Sequence, residues 1–297
     1  MSTDGQSGAG ATPELIATCW TSAGDIAPLQ APELSPFAIE DRVAAVARTG
    51  WAGIGLSQDD LAQIRSGIGF PALRQLIADA GLRYTEVELL NHWWIPKGEP
   101  SDSYAIRELL FEAAEQLGAT HLKIATAFGD PVESIDELVA PLWQLAEQAA
   151  ERGIRLALEP LPFSMISSIP MGADLVRAVN HPACGLIVDT WHVFRAGTSL
   201  DELREALDSK IVFAVEIDDA DEHVEGTLFE DTINTRRLCG TGTFDLAGFI
   251  ATMEDIGYSG PYGVEIISRE HRALPLDDAL EQAHRTAVDC FAVAARR

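Results

Sequence analysis

The sequence predicts an α/β fold: a single closed (β/α)₈ barrel, or TIM barrel, with its active site at the carboxyl-terminal rim of the strands. From residue 14 onward, eight short apolar runs alternate with amphipathic helical stretches, the pattern of parallel βα units. The runs are apolar almost throughout, as strands covered on both faces are. A chain of 297 residues has room for eight such units. An open doubly wound sheet is the alternative, but no Gly-rich GxGxxG turn follows the first strand.

The elements follow in order. The first strand is "LIATCW" (15–20). In "SPFAIEDRVAAVARTG" after it, Ser35 offers a cap, Pro36 a first turn, Ile39, Val43 and Val46 an apolar stripe, and Gly50 a stop. "WAGIGLS" (51–57) and "LRYTEVEL" (82–89) are the second and third strands. "SDSYAIRELLFEAAEQLG" repeats the helix scheme, ends at Gly118 and leads into "HLKIAT" (121–126). "ESIDELVAPLWQLAEQAAERG" ends at Gly153 before "IRLALE" (154–159). The strands "GLIVD" (185–189) and "IVFAVE" (211–216), the helix "DLAGFIATMEDIG" ending at Gly257, and the strand "YGVEII" (262–267) complete the series.

The longest stretches without periodicity are 90–101, 160–171 and 218–241. Each follows a strand, which is the side where such barrels carry their working loops. No domain boundary interrupts residues 14–297, whereas residues 1–13 are polar, rich in Gly, Ser and Thr, and read as a flexible arm without a signal peptide.

Composition narrows the function. Forty-six acidic residues against 21 basic ones give a formal net charge of -25, which opposes durable contact with nucleic acid or an anionic membrane. No apolar stretch approaches the ~20 residues that cross a bilayer. Cys19, Cys184, Cys239 and Cys290 are scattered, which fits a reduced, cytoplasmic protein. A homo-oligomer is compatible with this composition.

Most of the acids read as a solubilising surface, but four do not. The last four strands read "LALEP", "LIVDTWH", "FAVEIDD" and "YGVEII", and each delivers one acid at or near its carboxyl end: Glu159, Asp189, Glu216 and Glu265. Neighbouring barrel strands lie about 5 Å apart, so these acids converge on one rim. Four anions there repel one another unless some are protonated or a divalent metal held by oxygen ligands neutralises them. The structural alternative is that each acid caps the next helix or pairs with a base such as Arg195 or Arg237.

With these strand ends, the D-x-x-H pattern of Asp189 and His192, "VEIDDA", and the "RLCGTGTFD" loop, the sequence resembles the xylose isomerase-like TIM-barrel superfamily of sugar isomerases and epimerases. That superfamily includes ketose 3-epimerases, inosose dehydratases, 3-dehydroshikimate dehydratases and endonuclease IV. The resemblance implies one divalent metal ion held by Glu159, Asp189, Glu216 and Glu265. The third ligand is usually His or Gln in the family, and Glu216 departs from it. A fourth carboxylate favours Mn²⁺ or Mg²⁺ over Zn²⁺ or Co²⁺. The resemblance also implies that His192 and Arg237 hold substrate oxygens and that Glu159 and Glu265 form a proton-transfer pair. His92, Trp93 and Trp94 can stack on a sugar ring. His121 and Lys123 alternate with Leu122 and Ile124, which turns both toward the barrel interior and makes Lys123 a candidate for substrate binding.

The implied reaction grips a carbonyl and a neighbouring hydroxyl of a small sugar or polyol and stabilises an enolate. Isomerisation, epimerisation and β-elimination share that intermediate, so a dehydratase or lyase acting on a keto-sugar, keto-cyclitol or dehydroshikimate-like substrate stays open beside an isomerase or epimerase. An endonuclease calls for a basic groove that this composition lacks. A sugar-binding scaffold is told apart by metal analysis.

Overall fold

The computed structural model describes residues 12–297. Eight parallel strands close into a barrel in chain order. They are β1 (Leu15–Ala17), β2 (Gly53–Ser57), β3 (Tyr84–Leu90), β4 (His121–Ile124), β5 (Leu156–Leu158), β6 (Cys184–Asp189), β7 (Val212–Ile217) and β8 (Tyr262–Val264). Each expected strand is present. The ladders of β5 and β8 stop just short of Glu159 and Glu265, whose amides still donate to Ile124 O at 2.8 Å and Ile217 O at 3.2 Å. The expected arm falls mostly on residues 1–11, outside the described residues.

Helices end where the sequence places its stop signals. The helix Tyr104–Leu117 ends at Gly118, whose left-handed φ of 66° costs glycine little. Asp245 caps Leu246–Ile256 by accepting from Gly248 N at 3.0 Å. Ser35 departs from expectation. The helix begins at Ile39 with Ala38 as its N-cap, while Ser35 Oγ donates to Ala23 O at 2.8 Å. Pro36 disfavours helical geometry at the residue before it, so Ser35 braces a loop instead.

Two apolar layers result. The larger lies between strands and helices and includes Leu56, Val87, Leu122, Leu186, Val212 and Val264. The smaller, Ala157, Ile187, Phe213 and Ala214, lies inside the barrel. Side chains alternate faces along a strand, so these positions put Glu159, Asp189 and Glu216 inside as well, two residues on toward the rim.

The β6–β7 register makes that alignment possible. Leu186 pairs with Val212, but Ile187 pairs with Ala214, which leaves Phe213 as an extra residue, and Asp189 then lies opposite Glu216. On the other side Glu216 faces Gly263 of β8. A Cβ there would stand 2.6 Å from Glu216 Cγ, so only glycine leaves room for this carboxylate.

β3 and β4 also turn charge inward. Glu86 is buried, with His121 Nε2 3.7 Å from its Oε1. Burial pushes Glu86 up to about 7, with Glu265 and Glu159 adding to the rise and Lys123 opposing it. Burial also pushes His121 down to about 3, so this histidine is neutral. A carboxyl whose folded pKa exceeds its unfolded one costs nothing below the unfolded value near 4.5 and costs progressively more up to about 7, remaining constant above that. Glu86→Gln is therefore expected to raise the melting temperature at pH 8, by the equivalent of about 1–3 kcal/mol, and to leave it unchanged at pH 4. Thermal scans at the two pH values check this, and an equal shift at both would refute it.

Candidate active site

The four strand-end acids meet. Glu159, Asp189, Glu216 and Glu265 are all buried, and each offers one oxygen such that all four atoms lie within 4.8 Å of one another. His192 joins a second such group with Glu159 and Asp189. It rides on the helical turn Thr190–Arg195, which Asp189 caps by accepting from His192 N at 3.0 Å. The ring's Nε2 lies 3.4 Å from Glu159 Oε1.

The three acids of "EIDD" take three different environments. Glu216 stays in the ring. Asp218 accepts from Thr190 Oγ1 at 2.5 Å and pairs with Arg236. Asp219 accepts from the backbone amides of Ala220, Gly242 and Phe244 at 2.9–3.0 Å, which folds the "CGTG" segment against the end of β7.

Arg195 and Arg237 do not neutralise the ring. Arg195 Nε binds Asp231 at 3.0 Å. Arg237 turns outward to Asp221 at 2.6 Å and Glu270 at 3.3 Å. Its neighbour Arg236 enters instead, fully buried, with Nη1 2.9 Å from Asp189 Oδ2 and 3.1 Å from Glu265 Oε2. Two adjacent arginines on an extended segment face opposite ways, and the structure puts the second of them, Arg237, outside. Arg237→Ala is therefore expected to change stability by less than about 0.5 kcal/mol. Arg236→Met leaves buried carboxylates unpaired and is expected to cost about 3–5 kcal/mol. Denaturant titration of the two variants measures the contrast, and similar costs would contradict it.

Lys123 is the second internal cation. Its ammonium lies 2.5 Å from Glu216 Oε1, 3.1 Å from Glu265 Oε1 and 3.5 Å from Glu88 Oε2. Burial works against its charge, but Glu216, Glu265 and Glu88 outweigh burial and hold it protonated. It lies beneath the cavity rather than on its wall. Trp93 also lies off that wall. It is buried with Nε1 donating to Ala125 O at 2.8 Å, while its neighbour His92 lines the opening.

The cavity above the acids measures about 530 Å³. Glu159, His192, Arg236 and Glu265 lie on its wall, with Phe128, Phe163 and Phe229 forming an aromatic side. Glu88 also lines it, a residue the strand-end comparison passed over. Burial pushes Glu88 up to about 8, with nearby carboxylates adding to the rise against Lys123. Its signal was present in "YTEVEL": two carboxyls spaced i, i+2 in an apolar strand, beside His121 and Lys123 at the same spacing.

These residues fit a divalent cation. Four carboxylates are a hard oxygen donor set. Lys123 meets Glu216 as a charge contact with poor hydrogen-bond alignment, so both Glu216 oxygens are buried without a hydrogen-bond partner. Burial and the adjacent Glu265 hold Glu216 well above the usual carboxylate range even with Lys123 beside it, the mark of a site short of positive charge.

The profile of the xylose isomerase-like TIM barrel matches residues 43–290. The chain is 28% identical to a 3-dehydroshikimate dehydratase from Pseudomonas putida over 245 residues, 80% of this chain and 37% of that one. It is 30% identical to an inosose isomerase from Bacillus licheniformis over 153 residues, 51% of this chain and 54% of that one. The matched region thus spans about half or less of these relatives. Among solved structures, the IolI protein with a bound zinc atom superposes with a TM-score of 0.76 at 19% identity, covering 95% of this chain and 99% of that one. Among the described residues, no helix is long and apolar enough to cross a membrane.

Proposed function

The chain belongs to the xylose isomerase-like TIM-barrel family, and from that membership we propose that it is a divalent-metal-dependent isomerase or epimerase of a small unphosphorylated sugar or polyol. The observation that carries this reading is the buried set Glu159, Asp189, Glu216 and Glu265, of which Glu159 and Glu265 line a cavity large enough for such a substrate. These four residues would hold the ion, with Mn²⁺ or Mg²⁺ favoured by an all-carboxylate set. When bound, the ion polarises a substrate carbonyl and so makes the adjacent C–H acidic.

Glu159 and Glu265 then move the proton. They arrive from strands β5 and β8 with an oxygen of each inside the 4.8 Å group, and both line the cavity. His192 steadies Glu159 through the Nε2 contact. Arg236 fixes Asp189 and Glu265 and presents its edge to substrate oxygens. Delivery to the opposite face epimerises, and delivery to the neighbouring carbon isomerises.

A second reading has its own support. The dehydratase match covers 80% of this chain, and Glu88, a carboxyl pushed up to about 8, lies on the same wall, where it can protonate a departing hydroxyl. The two readings separate in heavy water. A keto-polyol or cyclitol that takes up deuterium with its oxygens retained supports isomerisation, and one that loses water supports the dehydratase. Neither outcome across a panel of both classes would sink the proposal.

A further inference from the structure

Lys123 comes from β4, a strand that adds no acid to the ring, yet its ammonium sits against Glu216 and Glu265. It is wholly buried, off the cavity wall, and its nearest charged neighbours are carboxylates. It therefore touches no substrate and acts only through the acids. A dication offsets two of the four carboxylate charges of the ring. Seven carboxyl groups, Glu86, Glu88, Glu159, Asp189, Glu216, Asp218 and Glu265, are buried in this region, and the permanent cations among them are Lys123 and Arg236. Arg236 is committed to Asp189, Asp218 and Glu265. Glu216 has Lys123 alone.

We propose that Lys123 is the internal counter-cation of Glu216, a positioning residue that keeps the ion-free barrel folded and, by its repulsion, sets the affinity for the divalent ion. The inference rests on the metal reading above and adds a sign to it. An ammonium against two ligands of a dication lies close enough to repel it through a medium of low effective dielectric. Removing the ammonium unbalances the empty site and favours the filled one. A merely structural lysine has the opposite effect, because its loss would loosen the ligands and weaken the ion. Glu216→Gln removes a donor and weakens binding. Removing both charges together returns the ring to one neutral and three anionic donors, with Arg236 the one permanent cation left against them.

The test is a double-mutant cycle read without turnover. Wild type, Lys123→Met, Glu216→Gln and the pair are stripped with chelator, then titrated with Mn²⁺ by calorimetry, with melting temperatures recorded with and without Mn²⁺. Lys123→Met is expected to melt lower than wild type without the ion and to bind Mn²⁺ at least about tenfold more tightly. Glu216→Gln is expected to bind about tenfold more weakly, and the pair to fall within a few-fold of wild type. A Lys123→Met protein that folds only when Mn²⁺ is present gives the same answer in extreme form. Equal or weaker binding by Lys123→Met overturns the assignment. If that variant folds under neither condition, the pair is compared with Glu216→Gln: binding tightened about tenfold, back to within a few-fold of wild type, upholds the assignment, and binding no tighter than that of Glu216→Gln overturns it. Wild type that takes up no divalent ion fails the metal reading itself, and this inference with it.

Discussion

Glu159→Gln and Glu265→Gln are each expected to lower turnover by on the order of 10²-fold or more, with a smaller effect on substrate affinity. The exchange of substrate C–H with solvent deuterium is expected to fall in parallel. Burial pushes Glu159 up, but Lys123 and His192 more than offset burial and hold its carboxyl below the usual range, so it is ionised at neutral pH and ready to accept a proton. Glu265 is clasped on one oxygen by Lys123 and on the other by Arg236, which fixes its direction across the cavity floor. Glutamine keeps the shape of each side chain but cannot accept the proton. Because both acids are also candidate ligands, the comparison is made at saturating metal with bound metal measured by elemental analysis. A double variant with full metal content that still exchanges the substrate proton would move the base elsewhere, with Glu88 and His192 the next groups on the wall.

Removing the divalent ion is expected to abolish turnover and to lower the melting temperature by on the order of 5 °C, the shift for an ion present at about a hundred times its dissociation constant. The buried carboxyls cause both effects. With the ion withdrawn, Lys123 and Arg236 are the permanent cations left to balance the acids of the barrel floor, and Glu216 has no hydrogen-bond partner. Re-addition of Mn²⁺ or Mg²⁺ is expected to restore both activity and melting temperature. Full activity after exhaustive chelation, with metal absence confirmed by elemental analysis, would refute the metal-dependent mechanism.

The barrel was legible because its strands are buried on both faces and its helices end at glycines, and both signals are local. The ring was legible because four consecutive strands carry an acid within one residue of their carboxyl ends. Arg236 was missed since sequence spacing does not say which of two consecutive side chains turns inward, and that depends on Asp219 and Arg237 pairing backbone to backbone at 2.7 and 3.2 Å. Trp93 reads as a stacking residue until Ala125 O is found to take its indole hydrogen. The Lys123 contacts join strands β3, β4, β7 and β8, as much as 142 residues apart in sequence, and no periodicity reports them.

The extra residue Phe213 works like a one-letter insertion that shifts a reading frame. Val212 before it belongs to the layer under the helices, and Ala214 after it belongs to the barrel interior. Every later residue of β7 inherits that frame, including Glu216. A strand that paired Phe213 in continuous register would keep all four acids in its sequence and yet would set Asp189 opposite Val215 and turn Glu216 toward the helices. The bulge absorbs the extra residue, so that the inward frame of Ile187 and Asp189 on β6 is met by Ala214 and Glu216 on β7.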